Sequence, residues 1–83
     1  MPVLLIHGLG LNQNMWAAQI DALAALGPVI TYDLYGHGDS PPPPAKPSLN
    51  LFADQALAVL DRFECQSAIV AGFSLGGMIA RRI

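Results

Sequence analysis

Ser67-Ala68-Ile69-Val70-Ala71-Gly72-Phe73-Ser74-Leu75-Gly76-Gly77 is the stretch that decides how this chain is read. Its first five residues form a short apolar run of strand type. Gly72-Phe73-Ser74-Leu75-Gly76 then fits a sharp strand-to-helix turn with the serine at its apex. A serine held at positive φ between a strand and a tightly packed helix leaves no room for side chains two positions before and two after it, so both must be small. The same turn lifts the Ser74 hydroxyl clear of a sheet and sets it at a helix N-terminus, which favours developing negative charge. Gly77 is expected to let that helix approach the neighbouring strand. The plain alternative is an ordinary glycine-rich connection with no chemistry.

Working back from this turn, the chain repeats one pattern. Val3-Leu4-Leu5-Ile6 is a continuous apolar run ended by His7-Gly8, the signature of a strand buried on both faces. Trp16, Ile20, Leu23 and Leu26 keep helical spacing, with Asn12 or Asn14 as the cap and Gly27-Pro28 as the stop. Val29-Ile30-Thr31-Tyr32 reads as a second strand, ending at Asp33. A turn-rich stretch, Gly36-His37-Gly38-Asp39-Ser40, leads into prolines 41–44, which read as an extended surface connector. Phe52, Ala56, Val59, Leu60 and Phe63 form one helical stripe capped by Ser48 or Asn50. No internal repeat is visible.

The order β-α-β-α-β-α predicts parallel strands joined by right-handed crossovers, a three-layer αβα unit with an incomplete doubly wound sheet. The loops that leave the C-terminal ends of such strands open at one common edge, where ligands bind.

Composition narrows the classes of function. Of 83 residues, 53% are hydrophobic and 12% charged, about half the usual charged share of roughly 25%. A small domain has much surface to cover with polar groups, so part of this surface is expected to be buried against something else, and the chain alone is expected to self-associate. The net charge of −2, without a charge run, argues against nucleic acid or an anionic membrane as partner. The single cysteine, Cys65, excludes an internal disulfide and makes a cytoplasmic location the default. No span of membrane length and no basic-then-apolar leader is read. Ile79 and Ile83 are still in helical register where the chain stops, so residues 1–83 are expected to be the N-terminal fragment of one larger domain.

Three motifs in order resemble the α/β-hydrolase family across the whole length. Leu5-Ile6-His7-Gly8-Leu9-Gly10 resembles that family's oxyanion loop, Asp33-Leu34-Tyr35-Gly36-His37-Gly38-Asp39-Ser40 its turn after the next strand, and Gly72 to Gly76 its nucleophile elbow. The resemblance implies that Ser74 is the nucleophile and that the backbone N–H groups of Leu9 and Leu75 form the oxyanion hole. It implies acyl transfer to water through a serine ester, with a small-molecule acyl substrate and no cofactor. The family's general base and its acid partner follow the nucleophile in sequence, so His7 is expected to brace the oxyanion loop, His37 to shape its own turn, and Asp33 and Asp39 to stabilise turns. The isolated chain is expected to be inactive for want of the acid and base. Phe73 and Leu11 are candidates to line the acyl pocket.

An ester is the default substrate; lactones, carbon–carbon bonded diketones and perhydrolysis stay open, since the same front half serves them all. A serine rather than an aspartate at position 74 argues against the dehalogenases and epoxide hydrolases that resemble this family. A catalytically incomplete, non-enzymatic scaffold is the alternative within the same fold. A dinucleotide-binding reading of Gly8-Leu9-Gly10 with Asp33 lacks its third glycine, where Gln13 stands. A P-loop is excluded because no lysine follows Gly76-Gly77. Metal sites are unsupported by one cysteine and two histidines on different loops.

Overall fold

The computed structural model describes all of residues 1–83. Three parallel strands form one sheet: β1 (Val3–Ile6), β2 (Val29–Thr31) and β3 (Ile69–Gly72), in the spatial order β2-β1-β3. Val3 stands opposite both Val29 and Ile69, so the three strands run in step. The chain passes from β1 to β2 on one side and then crosses to β3 on the other. β1 is therefore the point where strand order reverses, and in open α/β sheets ligands bind at that point, beyond the strand C-termini.

All four residues of β1 are buried, as a central parallel strand requires. On one face Leu4 and Ile6 pack with Phe52 and Ala56 of α2 (Leu49–Arg62) and Ile79 of α3 (Leu75–Arg82). Ile30, Tyr32 and Leu34 complete this cluster. On the other face Val3 and Leu5 are equally enclosed, and a 3₁₀ turn at Gln13–Trp16 lies against β1. β3 is different. Its outer edge is unpaired, and Ile69 is 44% and Phe73 53% exposed, so one face of this strand has no covering layer. No helix is long and apolar enough to cross a membrane.

The element order matches the sequence reading, with local differences. The apolar spacing from Trp16 to Leu26 does not form one helix. Asn12 caps the 3₁₀ turn through the Asn14 N–H, and α1 is a single turn at Ile20–Leu23. The Gln13 N–H is held by the Asp33 carboxylate at 2.8 Å, which ties the start of this segment to the turn after β2. Leu26 ends up 56% exposed. β2 stops one residue earlier than expected, at Thr31, and β3 starts two later, at Ile69.

In α2 the cap is Ser48, whose hydroxyl accepts from the Leu51 N–H at 3.0 Å. Phe63 drops out of the stripe: the helix ends at Arg62 and the Phe63 ring is largely exposed. Glu64 takes a positive φ just beyond, and the Cys65 N–H reaches back to the Leu60 carbonyl, the hydrogen bond that closes a Schellman-type helix end.

Candidate active site

Ser74 sits between β3 and α3 with φ 56° and ψ −114°, a conformation that an L-residue holds only when its surroundings dictate it, at a cost of about 1–3 kcal/mol. Two packing contacts dictate it here. A methyl group on Gly72 would overlap the Gly76 backbone, and one on Gly76 would overlap the Ile6 carbonyl and meet the His7 carbonyl oxygen at 2.7 Å. Gly76, not Gly77, is therefore the residue that brings α3 against the neighbouring strand. Gly77 faces back toward Gly72 with more room, 3.3 Å from a Cβ to the Gly72 oxygen. The approach expected of Gly77 is thus made by its neighbour, because adjacent glycines carry no sign of which one faces the sheet.

The turn is anchored to β1 by Phe73 N–H donating to the Ile6 carbonyl at 3.1 Å. Gly76 and Gly77 N–H groups donate to the Phe73 and Ser74 carbonyls, both at 2.9 Å. Ser74 is exposed and its side chain does not cap α3. Leu75 N–H, at the first position of the helix, has no acceptor within the chain.

The loop after β1 rests on this turn. Gly8 lies between Phe73 and Leu11: a Cβ there would meet Phe73 Cδ2 at 3.1 Å and Leu11 Cδ1 at 3.4 Å. Leu9, Leu11 and Phe73 are all exposed, and Phe73 and Leu11 flank Gly8 next to the Ser74 turn. Leu9 N–H also has no acceptor within the chain. The sequence-predicted residues thus lie at the C-terminal edge of β1 and β3, Leu9 on the loop after β1, Ser74 in the turn after β3 and Leu75 at the first position of α3.

His7 is completely buried. Its Nε2 accepts from the Leu34 N–H at 2.9 Å and its Nδ1 faces the Gly8 carbonyl at 2.8 Å. His37 does more than shape its own turn. Its Nδ1 faces the Tyr35 carbonyl at 3.0 Å, and its Nε2 accepts from the Gly10 N–H, on the loop after β1, at 3.0 Å. The two rings lie 5.1 Å apart.

Asp33 is the hub of the turn after β2. Its carboxylate accepts from the Gln13 N–H at 2.8 Å, the Gln13 side chain at 3.3 Å and the Asp39 N–H at 3.0 Å. Burial acts to raise its pKa, but the hydrogen bonds from Asp39 and Gln13 outweigh burial and hold the carboxyl below its ordinary value. Its oxygens are committed inside the protein, which removes the ribose-binding role that a dinucleotide site would need. Asp39 contributes its backbone N–H to this turn. A Cβ on Gly38 would collide with the Asp33 carboxylate.

Gln55 was not singled out in the sequence. It is buried on α2, where its Oε1 accepts from the Tyr35 N–H at 3.1 Å and its Nε2 donates to the Asp33 carbonyl at 3.2 Å. The available signal was a polar residue next to Ala56, inside an otherwise apolar helix face.

Comparison with known proteins fits this geometry. The profile of the alpha/beta hydrolase family matches residues 3–83. The chain is 37% identical over 82 residues to the dihydrolipoyllysine-residue acetyltransferase component of the acetoin cleaving system of Pseudomonas putida, covering 99% of this chain and 22% of that protein. Among solved structures, the esterase EaEST from Exiguobacterium antarcticum superposes with a TM-score of 0.87 at 30% identity, covering 99% of this chain and 31% of that one. Est816, described as an N-acyl homoserine lactone degrading enzyme, does so with a TM-score of 0.89 at 36% identity, covering 96% of this chain and 31% of that one. The chain therefore spans under a third of the length of these relatives. With strand order, elbow and matched family profile in agreement, the chain belongs to the α/β-hydrolase family.

Proposed function

We infer that the protein carrying this segment is a serine hydrolase acting on a carboxylic ester or a similar small acyl substrate. The observation that carries the reading is Ser74, held at positive φ at the start of α3, with unbonded N–H groups at Leu75, the first residue of α3, and at Leu9 on the loop after β1. In this reading Ser74 Oγ attacks the carbonyl carbon while the carbonyl oxygen, gaining charge, is received by those two N–H groups. The alkoxide leaves with a proton, an acyl-serine remains, and water releases the acid. The exposed rim of Phe73 and Leu11 is the proposed seat of an apolar acyl group, and the similarity to esterases supports the substrate class. No cofactor enters the scheme.

The proton that Ser74 loses needs an acceptor. Both ring nitrogens of His7 and of His37 already have partners, so the proposed general base and its acid partner are groups outside these residues. Removing the base of a serine hydrolase lowers turnover by roughly a millionfold, so the 83 residues alone are expected to turn over no ester. The uncovered face of β3 supports self-association of the isolated chain. A cytoplasmic location belongs to the same reading, on the strength of the single cysteine.

Turnover of a p-nitrophenyl ester by the full-length protein, with and without Ser74→Ala, tests the assignment. Loss of turnover in a folded variant is expected. Undiminished turnover would remove Ser74 from the mechanism, and absence of turnover and of phosphonate labelling in the wild type would favour a non-enzymatic member of the fold.

A further inference from the structure

The loop carrying Leu9 is governed by two successive peptide planes, and each is held by a different histidine. The Gly8–Leu9 plane contains the Gly8 carbonyl and, anti to it across a trans peptide, the Leu9 N–H. Gly8 O faces His7 Nδ1 at 2.8 Å and also accepts from the Leu11 N–H at 3.1 Å. Fixing that carbonyl on one side aims the Leu9 N–H to the other. The next plane, Leu9–Gly10, contains the Gly10 N–H, which His37 Nε2 receives at 3.0 Å. Gly10 has φ 77°, the value that the third residue of a type II turn takes. The central plane of such a turn can flip to the type I arrangement unless something holds it.

The partners also fix both tautomers. A backbone N–H only donates, so the Leu34 N–H makes His7 Nε2 the acceptor and leaves the proton on Nδ1 for the Gly8 carbonyl. The same logic places the His37 proton on Nδ1, toward the Tyr35 carbonyl. Both rings are anchored in the turn after β2, at Leu34 and Tyr35. That turn thus orients the loop after β1 through two neutral imidazoles.

We propose that His7 and His37 form a two-ring clamp that orients the Leu9 N–H, with His37 as a positioning residue acting on the plane beside it. The proposal rests on the reading of Leu9 as an oxyanion donor. It predicts a defect confined to the transition state, because the loop holds a developing charge and not the ground-state substrate.

The test uses the full-length protein with His37→Phe, which keeps a ring but has no acceptor, and His37→Gln, whose Oε1 can receive the Gly10 N–H. His37→Phe should lower kcat by about ten- to a hundredfold, a part of the hundred- to thousandfold that losing a whole oxyanion donor costs, with KM within about twofold. His37→Gln should recover most of that loss. A fall in activity that follows KM or melting temperature alone, or a Gln variant no better than Phe, overturns the clamp. A second readout is independent of turnover: long-range ¹⁵N imidazole spectra of the Ser74→Ala protein should show both rings neutral with the proton on Nδ1. A charged ring or an Nε2–H tautomer at neutral pH overturns the clamp as well. If Ser74→Ala stays active, the Ser74 reading fails by itself, and the same spectra still judge the clamp.

Discussion

Gly76 of α3 is packed directly against the main-chain carbonyl of Ile6 in β1, leaving no space for even a methyl group between them. This contact brings the start of α3 over the C-terminal edge of the sheet and holds Ser74 in its positive-φ turn. Gly76→Ala must push backbone against backbone, so a loss near 3 kcal/mol is expected, at the upper end for an overpacked site. Urea denaturation of the full-length protein measures it. An unchanged midpoint would mean that α3 is free to move away and that the contact does not set the turn.

Asp33 gives the fold a dependence on acid. Its folded pKa lies below the unfolded value of about 3.9, so its contribution is complete above that value and is lost as pH falls through the folded pKa. Asp33→Asn retains an acceptor but sets an amide NH₂ against N–H donors. A loss of about 1–3 kcal/mol at neutral pH is expected, together with a shallower decline in stability below about pH 4. Melting curves from pH 7 to pH 3 check both; equal acid sensitivity in variant and wild type would contradict the assignment.

Gln55 links α2 to the turn after β2 through its amide, with one bond to Tyr35 N–H and one to Asp33 O. Gln55→Leu fits an apolar face but leaves the Tyr35 N–H without its acceptor, while Asp33 O keeps the Ser40 hydroxyl as donor, so a loss of about 1–3 kcal/mol is expected. Hydrogen exchange should locate the damage, with the Tyr35 amide losing protection while the amides of β1 keep theirs. Unchanged protection at Tyr35 would show that the bond carries no weight.

These relationships mark the limit of what was legible in the sequence. The elbow was readable because its two glycines encode a steric demand at fixed spacing from Ser74. α2 was readable because Phe52, Ala56, Val59 and Leu60 repeat with the helical period. The Asp33–Gln13 and Asp33–Gln55 bonds join residues 20 and 22 positions apart, and polar pairs so distant leave no periodic trace. The His37 bond to Gly10 was hidden for the same reason: 27 positions separate the two residues.

The Tyr32 hydroxyl is buried without a partner, and burial pushes its pKa well above the ordinary value of 10.0. The unfolded chain releases this proton near pH 10 and the folded chain does not, so stability is intact below that pH and falls as pH rises beyond it. Tyr32→Phe removes an unpaired polar atom and should be neutral or stabilising by up to about 1 kcal/mol. It should also flatten the alkaline decline between pH 9 and about pH 11. A destabilised variant with the decline intact would mean that the hydroxyl is bonded in solution.

The nucleophilic role of Ser74 is read out by trapping its acyl form. The full-length protein is mixed with a p-nitrophenyl ester, quenched in acid within milliseconds to seconds, digested and mapped by mass spectrometry. One acyl group is expected on the peptide containing Gly72-Phe73-Ser74-Leu75-Gly76, placed on Ser74 by fragmentation and absent from Ser74→Ala. An acyl group on another residue, or steady turnover that survives in Ser74→Ala, would contradict it.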